Sequence, residues 1–465
     1  MKKFISLLIL VLLTISVVSG CGPTNTENAE EVIEEEAVYK DMGGEEFIFL
    51  SGWETELFPA EGFSIAGDAA NARIKQVNEN FNFIFTVKNG GLPDLTNAIA
   101  AVTDIPMTSD LMSETFSAYK SGYFTPYEQV TTMDINDAEL WGSKNFLQYG
   151  LFDGANHYGI MANQWQSTPQ FAGCLLVNNE LLRNLGVTKT PYEMIENKEW
   201  NWDNFKALLE TCTSTEGDKS TYGMGYNGGG ESDAILGKVA CFSNNVEVLN
   251  SNEVDGKLVY EFGMNSPEAF AALDYVASLI KAGYVKRAAD NYGGTDFSTS
   301  LTPFLLCESW VGTEYSNKDD SAYPADKLND YGFLYFPHGP NADSGTVSSY
   351  VHRFRRLIYL VGVSEHDIDD SGMILNAMFQ PLSEDNSLSW KYFTKKNVFH
   401  HDEDYENFIV MIDNMRYDYS TFLGDTNDTL GTAIISTYTG SKTPVEAISG
   451  LEEKISTAIE KAFSE

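Results

Sequence analysis

The chain has 465 residues, with 67 Asp and Glu against 30 Lys and Arg and a formal net charge of −37. Such a chain repels polyanions and carries no Lys/Arg cluster to neutralise phosphates, so nucleic-acid binding is excluded first. The acidity favours solubility and attracts cations, but it does not name a ligand.

Met1-Lys2-Lys3 followed by an apolar run from Phe4 to Val18 reads as the charged and hydrophobic regions of a secretory signal. The run is shorter than the ~20 residues of a membrane-spanning helix. It ends in Val18-Ser19-Gly20-Cys21, which resembles the bacterial lipobox, and this implies diacylation of Cys21 after removal of residues 1–20. Two acyl chains anchor a protein stably where one does not. Residues 21–46 are acidic and lack any sustained apolar period, so they read as a solvated tether. The remaining body is about 420 residues long, too much for one hydrophobic core.

Phe47–Leu50 is a short apolar run that predicts a buried strand ending in a loop at Ser51-Gly52-Trp53. Asp68 is positioned to cap a helix with Ala70, Ile74, Val77 and Phe81 on one face. Phe83–Val87 is the next strand, closed by Asn89-Gly90-Gly91. A strand, helix and strand in this order predict a parallel sheet with helices on its faces. The stretch from Asp94 to Ser109 shows no clear strand. Further on, Cys174–Val177 predicts a strand running into a helix at Asn178–Leu182. Asn201 caps a helix whose Trp202, Phe205, Leu208, Leu209 and Cys212 share a face. Ser266-Pro267 opens another, through Phe270, Leu273, Val276 and Ile280, which Gly283 ends. Leu357–Val361 is a strand, and Thr443-Pro444-Val445-Glu446 is a capping box for a last helix through Val445, Ile448, Ile455, Ile459 and Ala462.

Several segments, in order, resemble one family: the extracellular solute-binding proteins of sugar ABC transporters, the group that includes maltose-binding protein. They are Phe47–Trp53, Lys120–Tyr127, His157–Ile160, Leu176–Leu182, Trp200–Phe205 and Tyr331–Pro340. The resemblance covers nearly all of residues 47–465, although Asn178 stands where the family carries Tyr. It implies an α/β, two-lobed periplasmic-binding-protein-like fold with a ligand cleft between discontinuous lobes. Lobe one would comprise 47–170 and 336–400, and lobe two 171–335 and 401–465. The chain would cross near Gln170–Leu175, return near Phe333–Pro337 and cross a last time near 400. The implied function is capture of a mono- or oligosaccharide by hinge closure and delivery to ABC permease subunits, by a monomer at the outer face of the bacterial membrane.

A sugar site needs aromatic platforms and fixed polar groups. The chain has 28 Phe, 24 Tyr and 7 Trp, so most of them must be core and position has to discriminate. Trp53 and Glu54 follow the first strand. Ser109 and Asp110 match the family's second binding loop, with Asp110 alternatively capping the helix toward Tyr119. Trp165, Gln166 and Gln170 lie in a polar stretch before the crossing and are the hardest to explain as core. Tyr226 and Asn227 lie on a glycine-rich loop, with a plain flexible connection as the alternative. Trp310 sits where family members often carry a stacking Trp. Tyr350 and Arg353 lie in a polar turn, where Arg353 either grips hydroxyls or a carboxylate or offsets surface acid.

Gly228-Gly229-Gly230 is no phosphate cradle, because no Gly-Lys-Ser/Thr follows. His400-His401-Asp402-Glu403-Asp404 has metal-ligand residue types but no second cluster, and it reads as a solvated charged segment. Asp425–Asp428 lacks the full calcium loop and predicts a turn. With only six His, scattered, no metal or other cofactor is implied. Cys174, Cys212, Cys241 and Cys307 have no paired spacing and sit in apolar contexts, so buried free thiols are expected, with disulfide connectivity open. The rival from another class is a secreted glycoside hydrolase, which also pairs carboxylates with aromatic rings. No Ser/His/Asp, Cys/His or zinc signature supports an enzyme. A peptide or polyamine in the same fold is the other alternative.

Overall fold

Strand β1 (Glu45–Ser51) alternates its apolar residues between two cores: Phe47 and Phe49 enter one, Ile48 and Leu50 the other. A strand buried on both faces reads as a continuous apolar run, which is why the sequence showed it. The structure, a computed structural model, describes residues 39–463 apart from 53–56, 59, 63, 143–146, 164, 166–168, 215–219, 227–233, 255–256, 288–293, 315–327, 329 and 352–355. The signal sequence, Cys21 and the first part of the tether therefore lie outside the described residues. The tether ends earlier than expected: Met42 is buried and donates its N–H to Phe81 O, and β1 already includes Glu45 and Glu46.

β1 pairs in parallel with β2 (Phe83–Asn89) and β3 (Met107–Leu111). β3 is a strand the sequence reading did not find, because Met107-Thr108-Ser109-Asp110-Leu111 is too polar to announce itself. Short strands β4 (Phe124–Thr125) and β5 (Gly159–Ile160) complete the first sheet through β14 (Arg356–Val361), in the order β2-β1-β3-β14-β4 with β5 also on β14. The second sheet begins with β6 (Ala172–Asn178), buried throughout, and takes in β7 (Met224–Tyr226). A separate hairpin, β8 (Leu249–Val254) and β9 (Lys257–Phe262), intervenes. Then come β10 (Val285–Arg287), β11 (Phe304–Glu308), β12 (Tyr331–Tyr335) and β13 (Tyr350–Val351). After β14 (Arg356–Val361) in the first sheet, β15 (Arg416–Tyr417) closes the second, whose order is β10-β7-β11-β6-β13-β15 with β12 also on β6.

Local signals set the helices. The Trp202–Cys212 helix buries the five residues the periodicity assigned to its inner face, and the Asn201 side chain accepts from Asn204 N–H. Ser266 caps the Pro267–Lys281 helix, and Gly283 follows it with φ +76°. Three expectations are corrected. Ser64 rather than Asp68 caps the Ile65–Phe81 helix; Asp68 lies in its first turn and accepts from Gly62 N–H. The Thr443 capping box opens only Pro444–Ile448, after which a 3-10 turn at Ser449–Leu451 leads into a separate helix, Glu452–Phe463. Asp425 begins a helix, Asp425–Tyr438, not a turn, with Asp425 and Asp428 in the first turn where the helix dipole favours acids.

The chain passes from the first sheet to the second between Ile160 and Ala172. The return comes after Val351 rather than near Phe333–Pro337. Residues 338–341 are held by the second sheet's helices through Trp202 N–H to His338 O, Gly339 N–H to Ser243 O and Asn341 N–H to Asn244 Oδ1, and Tyr350 pairs with Ala172 in β6. These two crossings run antiparallel, paired at Ile160–Ile358 on one side and Ala172–Tyr350 on the other. The third pass lies between the Ile368–Met378 helix, which packs on Ile65–Phe81, and the Asp402–Asp413 helix, which packs on β12. Phe116 stacks on Phe422 with ring centroids 4.3 Å apart, joining the core on one face of the first sheet to that of the second.

Candidate functional site

Open α/β sheets bind ligands beyond the carboxyl ends of their strands. In the first sheet β1, β2 and β3 run parallel and end at Ser51, Asn89 and Leu111. Asp110 sits at that end, 8% exposed, with Oδ2 accepting from Leu92 N–H at 2.7 Å and Oδ1 from Leu111 N–H at 2.7 Å. It thus serves the N-terminus of the Leu92–Ala100 helix rather than the helix running toward Tyr119. The loop wraps it closely: a Cβ at Gly91 would lie 3.1 Å from Asp110 Oδ2. Ser109 is buried in β3 between Ser51 and Ile358.

In the second sheet β7, β10 and β11 are parallel and end at Tyr226, Arg287 and Glu308. Tyr226 closes strand β7 and is 7% exposed, rather than lying free on a loop. Trp310 follows β11, half-buried, and donates its indole N–H to Glu308 Oε2 at 2.5 Å. Between them Ser309 grips the crossing segment: its N–H donates to Phe171 O, its hydroxyl accepts from Phe171 N–H, and it donates to Pro169 O. Gln170 is half-buried in that segment. Tyr226, Glu308, Trp310 and Gln170 are thereby gathered at one end of the second sheet.

Two other predicted residues pack against the cores. Trp165 packs on Phe379 (5.0 Å, edge to face) and donates to Gln380 O at 3.1 Å, so it belongs to the edge of the first sheet's core. Tyr350 lies in β13, 2% exposed, against Phe242. Trp53, Glu54, Gln166, Asn227 and Arg353 lie outside the described residues. Among the described residues no group of three His, Cys, Asp or Glu could hold a metal ion. The His401–Asp404 stretch is only partly solvated: His401 Nε2 is 2.9 Å from Asp330 Oδ1, while Asp404 is fully buried, and burial pushes its carboxyl up to about 6. Cys174, Cys212, Cys241 and Cys307 are buried and free, and burial pushes the Cys212 and Cys241 thiols up to about 12.

No protein-family profile matches the sequence, and no curated protein is significantly similar to it. Solved structures are similar to it. The cyclic α-maltosyl-1,6-maltose binding protein of Arthrobacter globiformis aligns with a TM-score of 0.65 and 14% identity, over 90% of this chain and 100% of that one. The sugar-binding protein MalE of Xanthomonas citri gives 0.63 and 13%, over 90% and 98%. UgpB of Mycobacterium tuberculosis, solved with glycerophosphocholine, gives 0.57 and 12%, over 90% and 99%.

The chain has the two-lobed fold of the solute-binding proteins.

Asp110 and the Tyr226–Trp310 group stand at the carboxyl ends of the parallel strands of the two sheets, where open α/β sheets take ligands. The sequence reading did not single out Glu308, Arg287 and Arg356, which stand at the same strand ends, the last opposite Leu111. The signal for Glu308 was present: it is the first polar residue after the apolar run Phe304–Cys307, where a buried strand must reach its end. No helix among the described residues is long and apolar enough to cross a membrane.

Proposed function

We propose that this protein is the substrate-binding lipoprotein of an ABC importer, capturing a mono- or oligosaccharide by hinge closure and handing it to membrane permease subunits. It acts as a monomer without cofactor or catalysis, held at the outer face of the membrane through Cys21. The observation that carries the reading is the pair of sheets joined by antiparallel crossings, with strand carboxyl ends on both sides and a half-buried indole at one of them. The Arthrobacter and Xanthomonas proteins of the same fold bind sugars. Lobe one then comprises the chain up to the first crossing and the segment from Arg356 through the Ile368–Met378 helix. It extends past Phe379 and Gln380 to the third pass, and lobe two comprises Ala172–Val351 and the chain from the Asp402–Asp413 helix onward. Trp310 and Tyr226 contribute from the second lobe and Gln170 from the crossing, joined by Trp53, Glu54, Gln166, Asn227 and Arg353, while Ser109 and Asp110 shape the first lobe's rim. The test is thermal unfolding of the protein against mono- and oligosaccharides, with glycerophosphocholine, peptides and polyamines as further arms. A true ligand at 100 times its Kd adds about 2.7 kcal/mol of stability. A response to a non-sugar arm alone, or chromatographic evidence that a responding sugar is cleaved, overturns the proposal.

A further inference from the structure

We infer that Glu308 is the residue that positions Trp310 as a face-only platform at the second lobe's edge of the cleft, an inference that rests on the sugar-binding reading for its ligand but not for its geometry. Three observations carry it. The indole N–H is already donated to Glu308 Oε2 at 2.5 Å, so the ring does not offer that N–H to a ligand. Glu308 itself is 9% exposed at the last position of β11, so the acceptor is set by the sheet and not by a mobile side chain. Ser309, between the two, is bonded through its N–H and its hydroxyl to the crossing segment at Pro169 and Phe171, which ties the carboxylate and the ring to the strand about which the lobes turn.

The chemistry follows from the bond. An indole whose N–H is spent on a carboxylate presents only its π face, and a charge-assisted hydrogen bond raises the electron density of that face. Electron-poor surfaces suit it: the C–H face of a pyranose, or a cation. A ligand group that needs an indole donor does not suit it. A group held this way is preorganised, so the ligand bears no cost of ordering the ring.

The experiment uses Glu308→Ala and Glu308→Gln beside Trp310→Phe. Subtracting the emission of Trp310→Phe from that of the wild type isolates the Trp310 signal, and its quenching by acrylamide needs no ligand. Quenching of that signal should rise about twofold in Glu308→Ala and stay near wild type in Glu308→Gln, whose amide oxygen still accepts. Affinity for maltotetraose by calorimetry should fall about tenfold in Glu308→Ala and stay within about threefold in Glu308→Gln. Should Glu308→Ala lose its cooperative urea transition, Glu308→Leu replaces it. Unchanged quenching in the folded Ala or Leu variant overturns the inference. So does an equal affinity loss in Ala and Gln, which would make the charge of Glu308 a direct ligand contact. Failure of the wild type to bind any saccharide, with the quenching pattern intact, would sink the sugar-binding reading and leave the positioning role standing.

Discussion

Asp404 is a buried carboxylate whose removal should change the pH dependence of folding. Its Oδ1 accepts from the Tyr192 hydroxyl at 2.5 Å and from Phe333 N–H at 3.0 Å, while Oδ2 has no partner among the described residues. Burial is the largest influence and raises the carboxyl from 3.8 to about 6; the bonds from Tyr192 and Phe333 act the other way. A folded-state value above the unfolded one means that the native protein holds this proton more tightly. The stabilisation is therefore complete below about pH 4 and is lost as pH rises through about 6. At 1.36 kcal/mol per pH unit, the two-unit difference corresponds to about 3 kcal/mol. Asp404→Asn keeps an acceptor oxygen for both donors and abolishes the titration. Its amide N–H takes the place of Oδ2 at a cost of about 1–3 kcal/mol, but that cost does not depend on pH. Urea unfolding of wild type and Asp404→Asn at several values between pH 4.5 and 7.5 should show the variant gaining on the wild type by about 2 kcal/mol over the series, the remainder of the difference having been lost already between pH 3 and 4.5. Two parallel pH profiles would refute the argument and place the ionisation of Asp404 in its ordinary range.

Two other substitutions test the assignments of structure against site. Lys238 is buried with its Nζ 2.5 Å from Asp418 Oδ2 and 3.2 Å from Asn427 Oδ1, so Lys238→Met strands a buried carboxylate and should cost about 3–5 kcal/mol by urea unfolding. Adding Asp418→Asn to it should recover part of that loss, and a single variant as stable as wild type would contradict the pairing. Trp165→Ala should lower stability by about 2 kcal/mol, through loss of the contact with Phe379 and the bond to Gln380 O, without changing sugar affinity. A fall in affinity at unchanged stability would return Trp165 to the cleft.

Much of the architecture was legible because its signals are short-range. Asn201, Ser266 and Thr443 announce helix starts through bonds made within three residues, and the buried face of Trp202–Cys212 repeats with the helix itself. The errors fall where a local signal competes with a distant one. Asp404 sits in an acidic run that reads as solvated, but the helix it belongs to packs on β12, which buries the third acid of the run while Asp402 and Glu403 stay exposed. Tyr350 and Val351 form a strand of two residues, too short for any alternation, and it exists only because β6 and β15 lie beside it. Trp165 had no apolar neighbours in sequence to betray its core role; Phe379 reaches it from more than two hundred positions away.

The amino-acid order alone determined the alternation of strands and helices, most helix caps and the apolar runs that must become central strands, because each depends on contacts within one or two turns. The tertiary structure decided which strand ends share a site, where the chain returns to the first sheet, and that Glu308 takes the Trp310 indole while Asp110 is absorbed by a helix terminus. Those outcomes depend on registers such as Cys307 against Cys174 in β11 and β6, set by burial on both faces of a sheet, and a pairing across so many intervening residues leaves no periodic trace in the sequence.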